Sequence, residues 1–272
     1  MSALLDTYDG LLLDAFGVLV DGTSVLPGAV ALIAELGRRD MPFAIVSNDA
    51  SRVPATFERR FASAGLAVPA ARFVTSGMLL ADYFRDRGLV GARTCVLGTA
   101  DSYQFVREAG GVPIELAPGM AVDVVAICDD SGTPFLEGIE LALSAIVRAV
   151  EAGRRPALVL PNPDLIYPKG SGELGVTAGG MAALIELALA RRLPGHDLVF
   201  DHLGKPAPLL FLEAGRRLGV APARLAMVGD QLETDILGAQ AAGVDAALVT
   251  GISRWQHDSA VAPTYLLDTI EP

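Results

Sequence analysis

The chain has 272 residues, of which 51% are hydrophobic, and a formal net charge of −11 at pH 7. This length allows one large domain or a core with a second module, and the composition argues against disorder. The acidic balance disfavours nucleic acid and anionic membranes as partners, because both attract basic surfaces. The sequence contains no apolar run long enough to span a bilayer and no signal-peptide pattern at its first residues, so we expect a cytoplasmic protein.

Short apolar runs alternate with segments of helical periodicity along the whole chain. We predict strands over residues 10–15, 43–46, 73–76, 94–97, 122–128, 157–160, 198–200, 225–228 and 246–249. We predict helices over residues 29–39, 54–64, 78–87, 102–109, 136–152, 181–192, 206–218 and 234–242. Residues 167–180 are rich in Gly and Pro and are predicted as a loop. The alternation predicts an α/β fold with a doubly wound parallel sheet.

The cysteines and the length of the middle region indicate how this fold is organised. Cys95 and Cys128 lie in or beside predicted buried strands, so we expect reduced core thiols. Residues 79–177 are long enough to form a small α/β domain of their own. We therefore predict a core made of residues 1–78 and 178–272, with residues 79–177 inserted as a cap that closes over a site on the core.

Asp14 directly follows the apolar run over residues 11–13 of the first predicted strand. Open α/β sheets hold their sites outside the carboxyl ends of their strands, so Asp14 is a candidate catalytic residue. Taken alone, an Asp in this position is also typical of a simple turn. Ser47 and Asn48 follow the second predicted strand in the same way. A hydroxyl and backbone N–H groups there could hold an oxyanion, although an ordinary helix cap is the alternative.

Lysine occurs only at Lys169 and Lys205. Lys205 precedes a predicted helix, where a cation gains nothing from the helix dipole, and so it is better explained by an anion that it faces. Asp230 follows a predicted buried strand, and Asp235 opens the next helix. Together with Asp14, these carboxylates could hold a hard cation such as Mg²⁺.

Asp14, Ser47, Lys205 and the Asp230/Asp235 pair, in this order, resemble the four motifs of the haloacid dehalogenase (HAD) superfamily. The resemblance covers nearly the whole chain. The segment Ser47–Arg52, the Asn162-Pro-Asp164 stretch and the long insertion resemble subclass IIA, the p-nitrophenylphosphatase-like class with a large α/β cap.

The resemblance implies a Mg²⁺-dependent phosphatase that acts on a small anionic phosphate ester. Asp14 would be the nucleophile that forms an aspartyl-phosphate, Ser47 would hold the transferring group, and Lys205 would neutralise charge. Further residues are implied by their motif positions. For the metal these are Asp14, the Phe16 backbone carbonyl, Asp230 and Asp235; for the substrate, Ser47, Asn48, Lys205, Asp130 and Asn162. Homodimers formed through the caps occur in similar proteins, so a second copy of the chain is one expected partner.

Phe16 departs from the pattern of this superfamily. Its phosphatases normally carry a second Asp two residues after the nucleophile, which acts as general acid and then as general base. A benzyl group can neither donate nor accept that proton, and a positioned acid–base group contributes typically ~10²–10⁴-fold in rate. Weak activity on poor leaving groups is expected, unless Asp129 or Asp130 of the cap supplies the acid. Asp-Asp-Ser-Gly is good turn chemistry, and a solvated turn is the favoured interpretation of these two residues.

The aromatic residue leaves other reactions open. An aromatic at this position also resembles 2-haloacid dehalogenases, in which Asp attacks carbon without a metal, but Asp230 and Asp235 are carboxylates that those enzymes lack. Phosphonate cleavage would require a cap lysine, for which Lys169 is the one remaining candidate. A catalytically silent binding or regulatory protein that keeps the metal and anion site is the alternative from a different class.

Overall fold

The computed structural model describes residues 1–21, 24–170, 173–250 and 260–272, and for residues 168–170 it describes the backbone alone. The described α-helices are α1 (Ser2–Thr7), α2 (Ala29–Arg38), α3 (Pro54–Ser63), α4 (Leu80–Asp86), α5 (Ala100–Glu108), α6 (Phe135–Glu151), α7 (Ala178–Arg192), α8 (Leu209–Leu218) and α9 (Leu237–Ala241). The described strands are β1 (Gly10–Asp14), β2 (Phe43–Ser47), β3 (Phe73–Thr75), β4 (Arg93–Leu97), β5 (Val112–Pro113), β6 (Val124–Ile127), β7 (Ala157–Leu160), β8 (Ile166–Gly170), β9 (Glu173–Val176), β10 (Asp201–His202), β11 (Leu225–Gly229), β12 (Asp245–Val249) and β13 (Tyr265–Leu267). No described helix combines the length and the apolar composition that a membrane span requires.

The chain divides into two compact units. The first contains Met1–Ser47, Pro54–Thr75 and Lys205–Pro272, and the second contains Asn48–Val53 and Ser76–Gly204. In the described part of the first unit, six parallel strands form one sheet in the order β13-β12-β11-β1-β2-β3. The predicted α/β fold with a parallel sheet is confirmed.

Strand β1 lies inside this sheet, between β11 and β2, and all of its residues are buried. Its continuous apolar sequence is what a strand covered on both faces requires. Aromatic side chains from α3 and β3 fill one part of the core. The Phe73 ring stacks on the Phe57 ring at 5.2 Å between centroids and meets the Phe61 ring edge-on at 5.1 Å. The strand that ends in Asp14 therefore has neighbours on both sides and a packed core around it.

The second unit has a sheet and a core of its own. In its described residues, five parallel strands run in the order β10-β7-β6-β4-β5, and β8 and β9 form a separate antiparallel hairpin. Helices α6 and α7 pack on the sheet through buried side chains such as Ile146 and Ile185. Cys95 and Cys128 are buried here as free thiols, as expected.

Three features of the second unit differ from the sequence predictions. Residues 167–180 are not one loop: they contain most of the β8–β9 hairpin and the start of α7. The predicted strand over residues 198–200 is replaced by β10, whose Asp201 pairs with Val159 of β7. Residues 178–204 also pack in this unit rather than in the first, because the apolar face of α7 belongs to the second core. The role of this unit as a cap stays a prediction.

Candidate active site

Three of the predicted site residues lie at the carboxyl edge of the first unit's described sheet. Asp14 is the last residue of β1, Ser47 is the last residue of β2, and Asp230 directly follows β11. The register pairs Asp14 with Val46. Since the strands are parallel, their carboxyl ends meet at one edge, where open α/β sheets hold their ligands.

Among the described residues, Asp14, Asp230 and Asp235 form a buried carboxylate cluster. Each offers one oxygen, and these oxygens lie within 4.8 Å of one another. Their exposed fractions are 6%, 1% and 0%. Like charges in so small a buried volume are unfavourable unless cations compensate them. The fold brings together carboxylates that are far apart in the sequence. Their burial side by side requires positive charge nearby.

Lys205 supplies part of that charge. Its Nζ atom donates to Oδ1 of Asp14 at 2.7 Å and to Oδ1 of Asp235 at 2.6 Å. A third contact, to the backbone carbonyl of Val46, measures 3.3 Å. The ammonium is thus buried and held between two carboxylates, one of which is the predicted nucleophile.

Asp235 also orders the backbone after β11. Its Oδ2 atom accepts hydrogen bonds from the N–H groups of Asp230 at 3.1 Å and of Gln231 at 3.2 Å. Asp235 lies in a single π-helical turn, Leu232–Ile236, a geometry found often at functional sites. A side chain at Gly229 would clash with Asp235, which explains the small residue at that position. One carboxylate therefore holds both Lys205 and the turn that carries Asp230.

The environment of the cluster raises the pKa values of both Asp14 and Lys205, for different reasons. Burial raises the pKa of Asp14 above its ordinary value, the Asp235 carboxylate raises it further, and the Lys205 ammonium opposes the rise. Burial would lower the pKa of Lys205, but the Asp14 and Asp235 carboxylates outweigh burial and raise it. Lys205 is therefore charged at neutral pH.

A divalent cation fits the chemistry of this donor set. With all four groups ionised, three carboxylates and one ammonium leave two net negative charges in a buried cluster. Mg²⁺ binds through a few carboxylates, keeps several waters and would neutralise those two charges. Asp14, Asp230, Asp235 and the Phe16 carbonyl are the groups that would hold it.

The turn after β1 brings Gly17 against Asp230. Gly17 has a φ of +86°, its N–H donates to the Val20 carbonyl at 2.8 Å, and a β-carbon in its place would clash with the Asp230 carboxylate. Only glycine combines that backbone angle with that close approach. The neighbouring Phe16 is half-buried against the core, and the Arg60 guanidinium lies 5.8 Å from its ring centre.

The remaining predicted site residues belong to the second unit. Asn48 is buried and donates from Nδ2 to Oδ1 of Asp164 at 3.0 Å, while Oδ1 of Asn162 accepts from the Asp164 N–H at 3.1 Å. Asp130 is half-buried. The roles of Asn48, Asn162 and Asp130 in substrate binding stay predictions.

Two observations bear on the other candidates in this unit. Oδ1 of Asp129 accepts from the Ser131 N–H at 2.9 Å, as in an ordinary Asx turn. The side chain of Lys169 lies outside the described part of the chain.

Several side chains that contact Phe16 or the backbone after Ser47 were not predicted from the sequence. Arg60 gives no signal, because nothing in the sequence pairs it with Phe16. The hydroxyls of Ser76, Thr99 and Ser102 were also missed, although Thr99 and Ser102 form a capping box at the start of α5. That spacing is detectable in a sequence.

Comparison with known proteins shows the family of this chain. A model of the haloacid dehalogenase-like hydrolase family matches residues 11–111, and a HAD-hydrolase-like model matches residues 202–272. Chronophin from Mus musculus is 30% identical over 284 residues, which are 98% of this chain and 92% of the mouse protein.

Two solved structures have the same fold over nearly the whole chain. A possible sugar phosphatase of the HAD superfamily from Cytophaga hutchinsonii is 27% identical with a TM-score of 0.83, covering 99% of this chain and 96% of that one. The glycerol phosphate phosphatase from Mycobacterium tuberculosis, solved in complex with magnesium, is 25% identical with a TM-score of 0.80, covering 98% and 76%. The chain therefore belongs to the haloacid dehalogenase-like hydrolase family.

Proposed function

We propose that this hydrolase is a phosphatase that cleaves a small phosphate monoester with Asp14 as its nucleophile. The contact that carries the proposal is the buried Lys205 ammonium, 2.7 Å from Oδ1 of Asp14 and 2.6 Å from Oδ1 of Asp235. An ammonium in this position opposes the protonation of Asp14 and can neutralise charge on a phosphoryl group. Phosphoryl transfer requires little beyond such positioning and charge neutralisation.

The reaction takes two displacements at phosphorus. An Asp14 carboxylate oxygen forms a bond to phosphorus while the ester P–O bond breaks, and the leaving oxygen keeps the electron pair. Water then attacks the aspartyl-phosphate, which releases inorganic phosphate and restores the Asp14 carboxylate. The Ser47 hydroxyl and the backbone N–H groups that follow it bind the phosphoryl oxygens. Because Phe16 cannot transfer protons, solvent water protonates the leaving oxygen and accepts the proton that the attacking water loses.

Magnesium is the cofactor that we propose, held by Asp14, Asp230, Asp235 and the Phe16 carbonyl. When bound, it would supply positive charge to the phosphoryl oxygens. The magnesium in the mycobacterial glycerol phosphate phosphatase supports this assignment. In the absence of metal, two net negative charges on the cluster would oppose the approach of an anionic substrate.

The second unit is proposed to act as the cap that selects the substrate. Asn48, Asn162 and Asp130 are its candidate substrate contacts. The relatives are described as acting on sugar and glycerol phosphates, which supports a small polar phosphate ester rather than a macromolecule. The homodimer and the cytoplasmic location expected from the sequence also stay predictions; gel filtration and cell fractionation would test them.

The second candidate function is a binding protein that has lost turnover, and Phe16 is the observation that favours it. Such a protein would bind phosphate and Mg²⁺ without hydrolysing an ester. The dehalogenase alternative is less well supported, because Asp230 and Asp235 lie beside Asp14, and a metal there would reduce the nucleophilicity that attack on carbon needs.

The test is the initial rate on p-nitrophenyl phosphate, with Mg²⁺ and with EDTA, for the wild type and for Asp14→Asn. This ester has a good leaving group, so the missing acid should matter least. We expect a Mg²⁺-dependent rate that disappears in Asp14→Asn. A wild-type rate no greater than the mutant rate would contradict the phosphatase, and phosphate binding without turnover would then support the binding protein.

A further inference from the structure

The backbone directly after Ser47, residues Asn48–Val53, has no helical or strand structure and packs within the second unit. We call it segment 48–53. A buried segment without regular structure must find partners for its backbone N–H and C=O groups outside a helix or sheet ladder. Where those partners come from determines what holds the segment in place.

Three hydroxyl groups meet three backbone carbonyls of this segment. Ser76 donates from Oγ to the Asn48 carbonyl at 2.6 Å, and Ser102 donates from Oγ to the Ala50 carbonyl at 2.8 Å. Thr99 donates from Oγ1 to the Ser51 carbonyl at 2.6 Å. Ser76 and Ser102 are fully buried. At the end of the segment, the Val53 N–H donates to Oδ2 of Asp101 at 3.0 Å.

Ser76 occupies a distinct place among the three. Strands β2 and β3 pair up to Ser47 and Thr75, which are register partners and the last residues of their strands. The next residues along the two chains are Asn48 and Ser76, and here the ladder is replaced by the bond from the Ser76 hydroxyl to the Asn48 carbonyl. The two strands are thus still joined one residue beyond the sheet.

That bond also fixes a backbone N–H group. A trans peptide is planar, with its C=O and N–H pointing in opposite directions. Because Ser76 holds the carbonyl of Asn48, it also sets the direction of the N–H of Asp49. The next residues have little freedom either, since Oδ1 of Asp49 accepts from the N–H of Ser51 at 2.6 Å and from its hydroxyl at 2.7 Å.

We propose that Ser76, Thr99 and Ser102 are positioning residues for phosphate binding. Their hydroxyls hold segment 48–53 so that the Ser47 side chain and the peptide groups that follow it present fixed donors to a phosphoryl group. This inference rests on the proposed function, and the three hydroxyls act through the backbone that follows Ser47 rather than on the substrate itself. A small displacement of such donors weakens anion binding, because hydrogen bonds depend steeply on geometry.

Ser76→Ala is the primary test, measured by KM and kcat on p-nitrophenyl phosphate, by direct titration with inorganic phosphate, and by thermal unfolding. We expect the KM and the phosphate dissociation constant to rise about tenfold, the effect of one lost hydrogen bond, with a smaller change in kcat. Ser76→Thr, which keeps the hydroxyl, should restore both. Ser63→Ala is the matched control, since it removes a 2.7 Å hydroxyl-to-carbonyl bond on the exposed end of α3.

Thr99→Val and Thr99→Ser form a second pair in case Ser76→Ala does not fold. Valine keeps the shape and loses the hydroxyl, so phosphate binding should weaken; serine keeps the hydroxyl and should preserve it. A folded Ser76→Ala or Thr99→Val protein with wild-type KM and wild-type phosphate affinity would overturn the inference.

The titration with phosphate separates this inference from the proposed function. If the wild type binds phosphate without turnover and the hydroxyl variants bind it more weakly, the phosphatase fails and the positioning role stands. If the wild type hydrolyses the ester and the variants are unchanged, only the positioning role fails. A wild type that neither binds phosphate nor turns over would overturn both.

Discussion

Oδ1 of Asp235 lies 2.6 Å from Nζ of Lys205, and both side chains are buried. The other oxygen of Asp235 accepts the backbone N–H groups of Asp230 and Gln231. The Asp235 carboxylate therefore contacts both the turn that follows β11 and Lys205, the cation paired with the candidate nucleophile Asp14. Replacing either Lys205 or Asp235 should change both the net charge of the buried cluster and the backbone after β11.

Replacing Lys205 by Met should destabilise the protein at pH 7.5 in EDTA by about 3–5 kcal/mol, since it leaves buried carboxylates without their ammonium. Guanidinium unfolding would measure this change. Addition of Mg²⁺ should recover part of the lost stability if the metal binds the cluster. Arg38→Met, at an exposed ion pair, should leave the unfolding midpoint nearly unchanged. A Lys205→Met protein as stable as the wild type would contradict the charge-balance argument.

Gly17→Ala and Gly65→Ala separate backbone strain from damage to the site. Both glycines have positive φ angles, +86° and +95°, but an added β-carbon at position 65 meets open space, whereas at position 17 it meets the Asp230 carboxylate. Gly65→Ala should cost about 1–2 kcal/mol and leave kcat unchanged. Gly17→Ala should also abolish Mg²⁺-dependent turnover. Equal kinetics in the two folded variants would argue against a role for the Gly17–Asp230 contact.

Phe16→Asp should introduce the acid–base group that the resemblance to HAD phosphatases implies for this position. We expect kcat/KM on alkyl phosphates to rise by ~10²-fold or more relative to p-nitrophenyl phosphate, because alkoxide leaving groups need a proton most. Phe16→Asn is the control of similar size that has no acidic proton to donate. If Phe16→Asn produces the same gain, the effect arises from space or polarity rather than from proton transfer.

The two cysteines should react only when the second unit opens. Burial raises the pKa of Cys95 and of Cys128 to about 12, from an ordinary value near 9. Ellman's reagent at pH 8 should therefore label neither thiol quickly in the folded protein and both in denaturant. Fast labelling of the native protein would contradict the buried placement of these thiols.

The same shift makes stability depend on pH. Because the folded state holds the thiol protons more tightly, the stability contributed by the thiols is complete below pH 9 and is lost as the pH rises from 9 towards 12. Denaturant midpoints at pH 8 and pH 10.5 should differ less in a Cys95→Ala/Cys128→Ala protein than in the wild type. An unchanged difference would mean that other groups cause the loss.

Much of the fold could be predicted because its strands are short and fully buried. Strands such as β1, β2 and β11 are continuous apolar runs with a polar residue directly after the run, a pattern that few other structures produce. The β8–β9 hairpin was missed because its exposed residues include apolar ones, such as Ile166 and Leu174, and because Pro and Gly interrupt the alternation. Short strands at a sheet edge, such as β10, depend on their ladder partners rather than on their own sequence.

The candidate site was also predicted only in part. Asp14, Lys205, Asp230 and Asp235 each follow or adjoin a predicted element, so their meeting at one sheet edge follows from topology. The hydroxyl bonds to segment 48–53 could not be predicted, because they join residues 28, 52 and 48 positions apart to a segment with no periodic pattern. The local sequence shows that a serine hydroxyl is available for a hydrogen bond, but tertiary structure determines which carbonyl accepts it.

The order of the strands has a consequence for the growing chain on the ribosome. Residues 76–204 form one continuous stretch with a complete sheet, whereas β1 must wait for β11 before both of its sides are paired. Domains fold as units during synthesis, so the second unit can become native while β1 still has an unpaired edge. Premature termination before β11 would therefore release a chain with a folded insert and an aggregation-prone sheet fragment.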